Sequence, residues 1–286
     1  MFRRKIFRLR LPSRILVLGQ RTLVMGVLNV TPDSFSDGGL YSSTGAAVAR
    51  AFEIERAGAD ILDIGGESTR PGSEGVSAQE ELHRILPVLE MLRGRLKIPI
   101  SVDTGKAEVA EAAANAGAEI INDVTALRID PRIADVACSC KLPLILMHMR
   151  GEPRTKQKKP FARNVLRDVT SGLKKAAAAA RRAGVLNSQI ILDPGAGFGK
   201  NYHQNFQLIA RLPELARLGY PILVGTSRKS FIGRALGGVP EKDRIWGTAA
   251  TVAASILQGA HIVRVHDVAE MVQVARVADE LVSRDR

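Results

Sequence analysis

Several short strings along this 286-residue chain crowd carboxylates, amides, hydroxyls and cations together. Asn29-Val30-Thr31-Pro32-Asp33-Ser34-Phe35-Ser36-Asp37-Gly38-Gly39 is one, and Asp63-Ile64-Gly65-Gly66-Glu67-Ser68-Thr69-Arg70-Pro71-Gly72 is another. Asp103-Thr104, Asn122-Asp123 and Met147-His148-Met149 follow. Then come Asp193-Pro194-Gly195-Ala196-Gly197-Phe198-Gly199-Lys200, Gly225-Thr226-Ser227-Arg228-Lys229-Ser230, and Arg264-Val265-His266-Asp267. Asp63, Asp103, Asn122 and Asp193 offer acceptors and an amide, the groups that read the edge of a flat, donor-rich heterocycle. The Ser227–Ser230 turn, Arg264 and His266 place cations where a phosphate would sit, and backbone N–H groups opening helices add donors for an anion. Asn29 with Asp33 or Asp37 suits Mg²⁺, which keeps several waters and is shared with substrate phosphates. The chemistry indicated is action on a phosphorylated heterocycle with Mg²⁺.

Each string follows a short apolar, β-rich run. Strands are expected over Leu23–Leu28, Asp60–Ile64, Pro99–Val102, Glu119–Asn122, Leu142–Met147, Gln189–Leu192, Pro221–Val224 and His261–Val265. Between them lie helical patterns at Thr44–Ala57, Ala78–Arg93, Ala107–Ala116, Pro131–Cys138, Val165–Ala183, Gln204–Leu218, Ile245–Gln258 and Val268–Ser283. Several end in Gly, the residue that most readily takes the left-handed conformation after a helix. Eight strand–helix units predict one domain, a (β/α)₈ (TIM) barrel, whose active site is built from the loops at the carboxyl ends of its strands. A doubly wound open sheet is the alternative, but no G-x-G-x-x-G follows the first strand. Residues 1–21 precede the barrel; Phe7 to Leu11 alternates with period two, Pro12-Ser13 punctuates, and Ile15–Leu18 resumes, which predicts a β-hairpin. Taken singly the polar residues have plainer readings: Asp103 or Asn122 as a helix N-cap, His148 as a hydrogen-bonded core histidine, Arg264 as surface. Convergence of eight such loops on one mouth favours a catalytic site.

The formal net charge is +12, from 41 Lys and Arg against 29 Asp and Glu. Residues 1–21 carry seven bases and no acid, and residues 150–182 carry eleven bases and two acids; the remainder is −4. No zinc-finger spacing or RNA-binding motif accompanies the basic stretches, and aromatics are only 4% of the chain, so nucleic acid is not the expected partner. The polar connection that begins at Arg150 is expected to be functional or mobile rather than a domain boundary. Cys138 and Cys140, one residue apart, fit a reducing compartment, and no apolar run is long enough for a membrane span; a cytoplasmic location is expected.

The strings beginning at Asn29, Asp63, Asp193 and Ser227 together resemble the dihydropteroate synthases, and the likeness runs from about residue 22 to the C-terminus. The resemblance implies condensation of 6-hydroxymethyl-7,8-dihydropterin diphosphate with 4-aminobenzoate, giving 7,8-dihydropteroate and pyrophosphate in folate synthesis, with sulfonamides as inhibitors and a homodimer as the assembly. It implies that Asp103, Asn122, Asp193 and Lys229 hold the pterin, that Met147 lies against its ring, and that Arg264, His266 and Thr69 serve the diphosphate, with Asn29 acting through Mg²⁺. Phe35, Arg70, Pro71, Phe198 and Ser230 would surround 4-aminobenzoate. Asp37 is expected to assist the reacting centre. Ala196 stands where the family often has a larger apolar residue. The rival resemblance is to methyltetrahydrofolate-dependent corrinoid methyltransferases, which share the pterin-reading Asp and Asn but bind no diphosphate.

Overall fold

The computed structural model describes residues 4–31, 40–67, 75–151 and 161–283. A hairpin of β1 (Phe7–Arg10) and β2 (Ile15–Leu18) comes first, paired antiparallel with Phe7 opposite Leu18 and Arg10 opposite Ile15. Eight parallel strands follow: β3 (Leu23–Asn29), β4 (Ile61–Gly65), β5 (Ile100–Asp103), β6 (Ile120–Asp123), β7 (Leu144–Met147), β8 (Ile190–Asp193), β9 (Leu223–Val224) and β10 (Ile262–Val265). Their order is β8-β7-β6-β5-β4-β3-β10-β9, and a parallel bridge between Leu192 and Ile222 joins the two ends into a barrel. The strands are nearly continuous apolar runs because both faces are buried, the inner by the barrel interior and the outer by helices.

Those helices are α1 (Leu40–Arg56), α2 (Ala78–Leu92), α3 (Ala107–Asn115), α4 (Ile133–Ser139), α5 (Val165–Arg182), α6 (Tyr202–Ala210), α7 (Leu212–Ala216), α8 (Ser230–Ala235), α9 (Ile245–Leu257) and α10 (Val268–Ser283). The sequence pattern anticipated one helix over Gln204–Leu218. The chain instead breaks at Arg211 (φ −114°), because Pro213 in the first turn of α7 has no N–H for a continuing ladder. The short α8 was not anticipated.

Inside the barrel, one layer is formed by Leu23, Met25, Ile61, Ile120, Ile145, Ile191, Leu223 and Ile262, all buried. Leu9, Leu11 and Leu18 of the hairpin belong to the same cluster. The hairpin is therefore a stopper at the amino ends of the strands. Polar ties hold it there: Gln189, just before β8, exchanges two hydrogen bonds with the Arg10 backbone, and the Ser13 N–H donates to Glu119 before β6. Buried Arg4 donates to Thr22 and to the Ala260 carbonyl and pairs with Asp279 of α10 at 2.5 Å.

Candidate active site

Side chains on a strand alternate between faces, so the residue two beyond each inward isoleucine also points inward, one layer nearer the carboxyl ends. From Ile61, Ile120, Ile145, Ile191 and Ile262 this step leads to Asp63, Asn122, Met147, Asp193 and Arg264. The upper layer of the barrel is thus polar where the lower is aliphatic. Asp103, ending β5, enters the same layer.

The centre of that layer is a charge cluster. Arg264 donates from Nε to Asp63 Oδ2 at 2.6 Å and from Nη2 to Asp103 Oδ2 at 2.7 Å. Asn122 donates to the same Asp63 oxygen at 3.1 Å. Asp63 is wholly buried, and its other oxygen has no hydrogen-bond partner among the described residues. Its work is therefore to hold Arg264 and Asn122, rather than to face a ligand as its position in the sequence suggested. Burial pushes the Asp103 carboxyl up to about 7; Arg264 opposes that shift and the Asp63 carboxylate reinforces it. Burial likewise raises Asp193 to about 6, against the pull of the Gly195 N–H, which donates to its Oδ1 at 2.7 Å.

Asp103, Asn122, Met147, Asp193, Phe198, Lys229, Arg264 and His266 line one pocket, completed by Val124, Gly195, Gly225 and Ser227. Lys229 Nζ stands 3.9 Å from the centre of the Phe198 ring, a cation–π contact. The turn that presents it is held from behind. Arg228 is left-handed (φ +58°), pairs with Asp267, and has its backbone bound by Thr248 and Arg244. His266 is pushed down to about 3, by burial first and Arg264 next, so it is neutral. The Ser227 hydroxyl accepts the His266 backbone N–H at 3.1 Å and lies 3.0 Å from Nδ1. A hydroxyl has one hydrogen to give and two lone pairs to accept with, so Ser227 satisfies Nδ1 in either tautomer of the ring.

Behind Asp193 sits Lys200, 2% exposed. Its Nζ reaches the His148 carbonyl at 2.8 Å, the Gly195 carbonyl at 2.9 Å and His148 Nδ1 at 3.0 Å. Three acceptors suit the three hydrogens of an ammonium, although burial lowers this lysine to about 7. The contact needs Gly195, with φ +66°, because a Cβ there would fall 2.0 Å from the His148 carbonyl oxygen. His148 is thus the hydrogen-bonded core histidine of the plainer reading, driven to about 2 by burial and then by Lys200. On the opposite side, Lys106 bridges Glu67 and the buried Glu81, each at 2.5 Å.

Asn29 ends β3, half-buried and in register with Gly65, but is not among the residues lining the pocket. Ser230 is exposed at the start of α8. Asp33, Phe35, Asp37, Thr69, Arg70 and Pro71 lie outside the described residues. The sequence reading assigned no role to Ser227 or Lys200, although both stand inside its motif strings; nothing in a linear string pairs a serine with a histidine 39 positions on.

The donor set bears on Mg²⁺. Among the described residues no three His, Cys, Asp or Glu side chains stand together as a metal cage. One amide oxygen at the barrel rim, Asn29, fits an ion held mainly by water and substrate phosphates.

A family model of pterin-binding enzymes matches residues 25–266. The dihydropteroate synthase of Synechocystis sp. is 51% identical over 92% of this chain and 91% of its own length. That of Escherichia coli strain K12 is 46% identical over 91% of this chain and 92% of its own length. Among solved structures, Xanthomonas albilineans dihydropteroate synthase with 4-aminobenzoic acid superposes with a TM-score of 0.91 at 44% identity, covering 98% of this chain and 99% of that one. The Yersinia pestis enzyme in complex with a sulfonamide drug gives 0.90 at 43%, covering 97% and 100%. A polar upper layer at the mouth of an eight-stranded barrel, matched along nearly the whole chain by these relatives, places the protein in the pterin-binding enzyme family as a dihydropteroate synthase, a transferase.

Proposed function

We propose that the enzyme joins 6-hydroxymethyl-7,8-dihydropterin diphosphate to 4-aminobenzoate by ionisation of the pterin CH₂–O bond, with release of pyrophosphate. The observation that carries this reading is one pocket that holds two buried carboxyls, Asp103 and Asp193, together with the guanidinium of Arg264, which donates to Asp103. A carboxylate and an amide oxygen accept from the pterin ring; Met147 and Val124 supply apolar contact. The C–O bond breaks with its electron pair leaving on pyrophosphate, and the cation left on the methylene is shared with the electron-rich ring. Asp103 and Asp193, ionised, favour that charge, while Arg264, Lys229 and, in its Nε2–H tautomer, neutral His266 answer the charge growing on the leaving group. His266 contributes as a donor and not as a cation.

The arylamine nitrogen then bonds to the methylene and gives up a proton. We assign Asp37 to that proton or to the cation; a full rate in Asp37→Asn would count against it. Phe198, held against Lys229, offers a face for the aminobenzoate ring, with Phe35, Arg70, Pro71 and Ser230 as its remaining contacts and Thr69 on the diphosphate side. Mg²⁺ held by Asn29 would supply Lewis-acid neutralisation of the diphosphate. No helix among the described residues is long and apolar enough to cross a membrane, in keeping with a cytoplasmic role in folate synthesis. A homodimer is supported by Trp246 on α9, 80% exposed, and Val277 on the neighbouring α10, 66% exposed.

The test is pyrophosphate release from the pterin diphosphate, with and without 4-aminobenzoate. Release coupled to the arylamine is expected; release indifferent to it would refute the assignment.

A further inference from the structure

Three charged side chains that the proposed reaction does not use meet at the exits of β4 and β5. Lys106, three residues past Asp103, places Nζ 2.5 Å from Glu67 Oε2, two residues past β4, and 2.5 Å from Glu81 Oε2 on α2. The Glu81 side chain is wholly buried, and its Oε1 has no hydrogen-bond partner among the described residues. Burial pushes this carboxyl up, while Lys106 and the Thr104 hydroxyl pull it down. The same helix grips the β4 exit twice more. Arg84 donates to the Gly66 carbonyl at 2.8 Å, and a Cβ on Gly66 would lie 2.8 Å from Ile85.

The cluster breaks two local rules. Lys106 occupies the N-cap of α3 and makes no side-chain cap bond. Ser, Asp and Asn are favoured there, and a cation at the positive end of a helix is unfavourable. The Ala107 N–H that a cap would serve donates instead to Asp130 at 3.0 Å. Glu81 is the second break, since a buried carboxylate with one oxygen unsatisfied costs free energy. Stability alone does not account for such a pair, because apolar side chains of similar volume often do as well or better. Departures of this kind concentrate at functional sites.

What the cluster holds is the turn that follows Asp103. Arg264 does not fix Asp103 by itself, because the same guanidinium is bound through Nε to Asp63, whose charge opposes that of Asp103. Beyond Asp103 the chain is pinned at each step. The Thr104 N–H donates to the Asn122 carbonyl at 3.1 Å, and the Lys106 N–H reaches Thr104 Oγ1 at 3.3 Å. The Lys106 side chain then ties the turn to α2 and to the β4 exit. We propose that Lys106 and Glu81 are positioning residues for Asp103: they lash the turn after β5 to α2 and to Glu67, and so fix where that carboxyl enters the pocket. The effect on substrate rests on Asp103 being a pterin contact, as in the function proposed above. Charges reach Asp103 from four elements: Arg264 of β10 and Lys229 before α8 lower it, and Asp63 of β4 and Glu81 of α2 raise it.

The test reads Asp103 directly, by carbon-13 NMR of its Cγ across pH in the full chain without ligand. Calorimetric titration with the pterin diphosphate, in the absence of 4-aminobenzoate, accompanies it. Glu81→Gln removes one negative charge and keeps an oxygen for Lys106, so the Asp103 midpoint should fall below the wild-type value of about 7. Lys106→Met cuts both ties and should weaken pterin diphosphate binding about tenfold or more. Lys106→Arg, whose guanidinium can bridge both carboxylates, should stay within about threefold of wild type. A midpoint unmoved or raised in Glu81→Gln, or a folded Lys106→Met that binds like the wild type, would overturn the proposal. Should Lys106→Met fail to fold, the Glu81→Gln midpoint decides alone. The Cγ titration needs no turnover, so a lowered midpoint beside pyrophosphate release indifferent to the arylamine would refute the catalytic assignment alone.

Discussion

Replacing Asp103 by Asn should make the protein's stability rise, relative to wild type, as the solution becomes more alkaline. The native Asp103 carboxyl keeps its proton to about 7, against an ordinary 3.8, because burial among Asp63 and Glu81 outweighs the help of Arg264. Between those values the folded state binds a proton that the unfolded chain has released. Stability then falls with rising pH, by about 1.4 kcal/mol per unit. Over roughly pH 5 to pH 8 the cost attributable to this one carboxyl is about 3 kcal/mol. The 11% of its side chain open to the pocket trims the figure toward about 2 kcal/mol. Asp103→Asn removes that ionisation and keeps the shape, an acceptor for Arg264 and every other titrating group, including Asp193. Urea unfolding of both proteins across this pH range isolates the effect: the variant's stability minus the wild type's should climb by about 2–3 kcal/mol from acid to alkaline. The same variant should lose pterin affinity at least tenfold, since an amide returns a donor where the ring needs an acceptor. Parallel pH curves would refute the reasoning, showing that Arg264 compensates the buried charge in full.

Further expectations follow from neighbouring geometry. kcat/KM should rise with pH through roughly 6 to 7 as Asp193 and Asp103 ionise, and then level; with His266 neutral above about 3, a profile flat over that range would contradict the carboxylates' role. Lys200→Met strands two buried carbonyls and a ring nitrogen, and should destabilise by about 3 kcal/mol in denaturant titration, against near-neutrality if its contacts are dispensable. Sulfonamides should compete with 4-aminobenzoate, because similar solved enzymes are found with each of these ligands; absence of inhibition near the KM concentration of aminobenzoate would overturn that.

The barrel was legible because each of its devices is local. Parallel strands buried on both sides are short apolar runs, helices end at Gly58, Gly117 and Gly259 with positive φ, and the hairpin alternates. The upper polar layer was legible for a similar reason, since Asp63, Asn122, Asp193 and Arg264 fall at fixed offsets from inward isoleucines. What could not be read is who bonds whom. Arg264 meets Asp63 across 201 positions of chain, and only the closed sheet brings them together. Asp63 therefore looked like a ligand acceptor when it is the buttress of one. Lys200 ended a glycine-rich string that reads as a turn, yet its side chain runs back under the pocket to the Gly195 carbonyl of its own string and the His148 carbonyl of another loop.

The hairpin and the aliphatic layer above it together close the amino end of the barrel. With Leu9, Leu11 and Leu18 packed into the amino end, the interior is a cul-de-sac. Whatever enters between the carboxyl ends of the strands must leave by the same side. On the proposed chemistry, pyrophosphate shares its exit with the second substrate's entrance. With a mouth open on one side only, the proposed function predicts an order of events: the pterin diphosphate goes in first, and the aminobenzoate follows. Product inhibition should keep that order, with pyrophosphate competing against the pterin substrate and not against the arylamine.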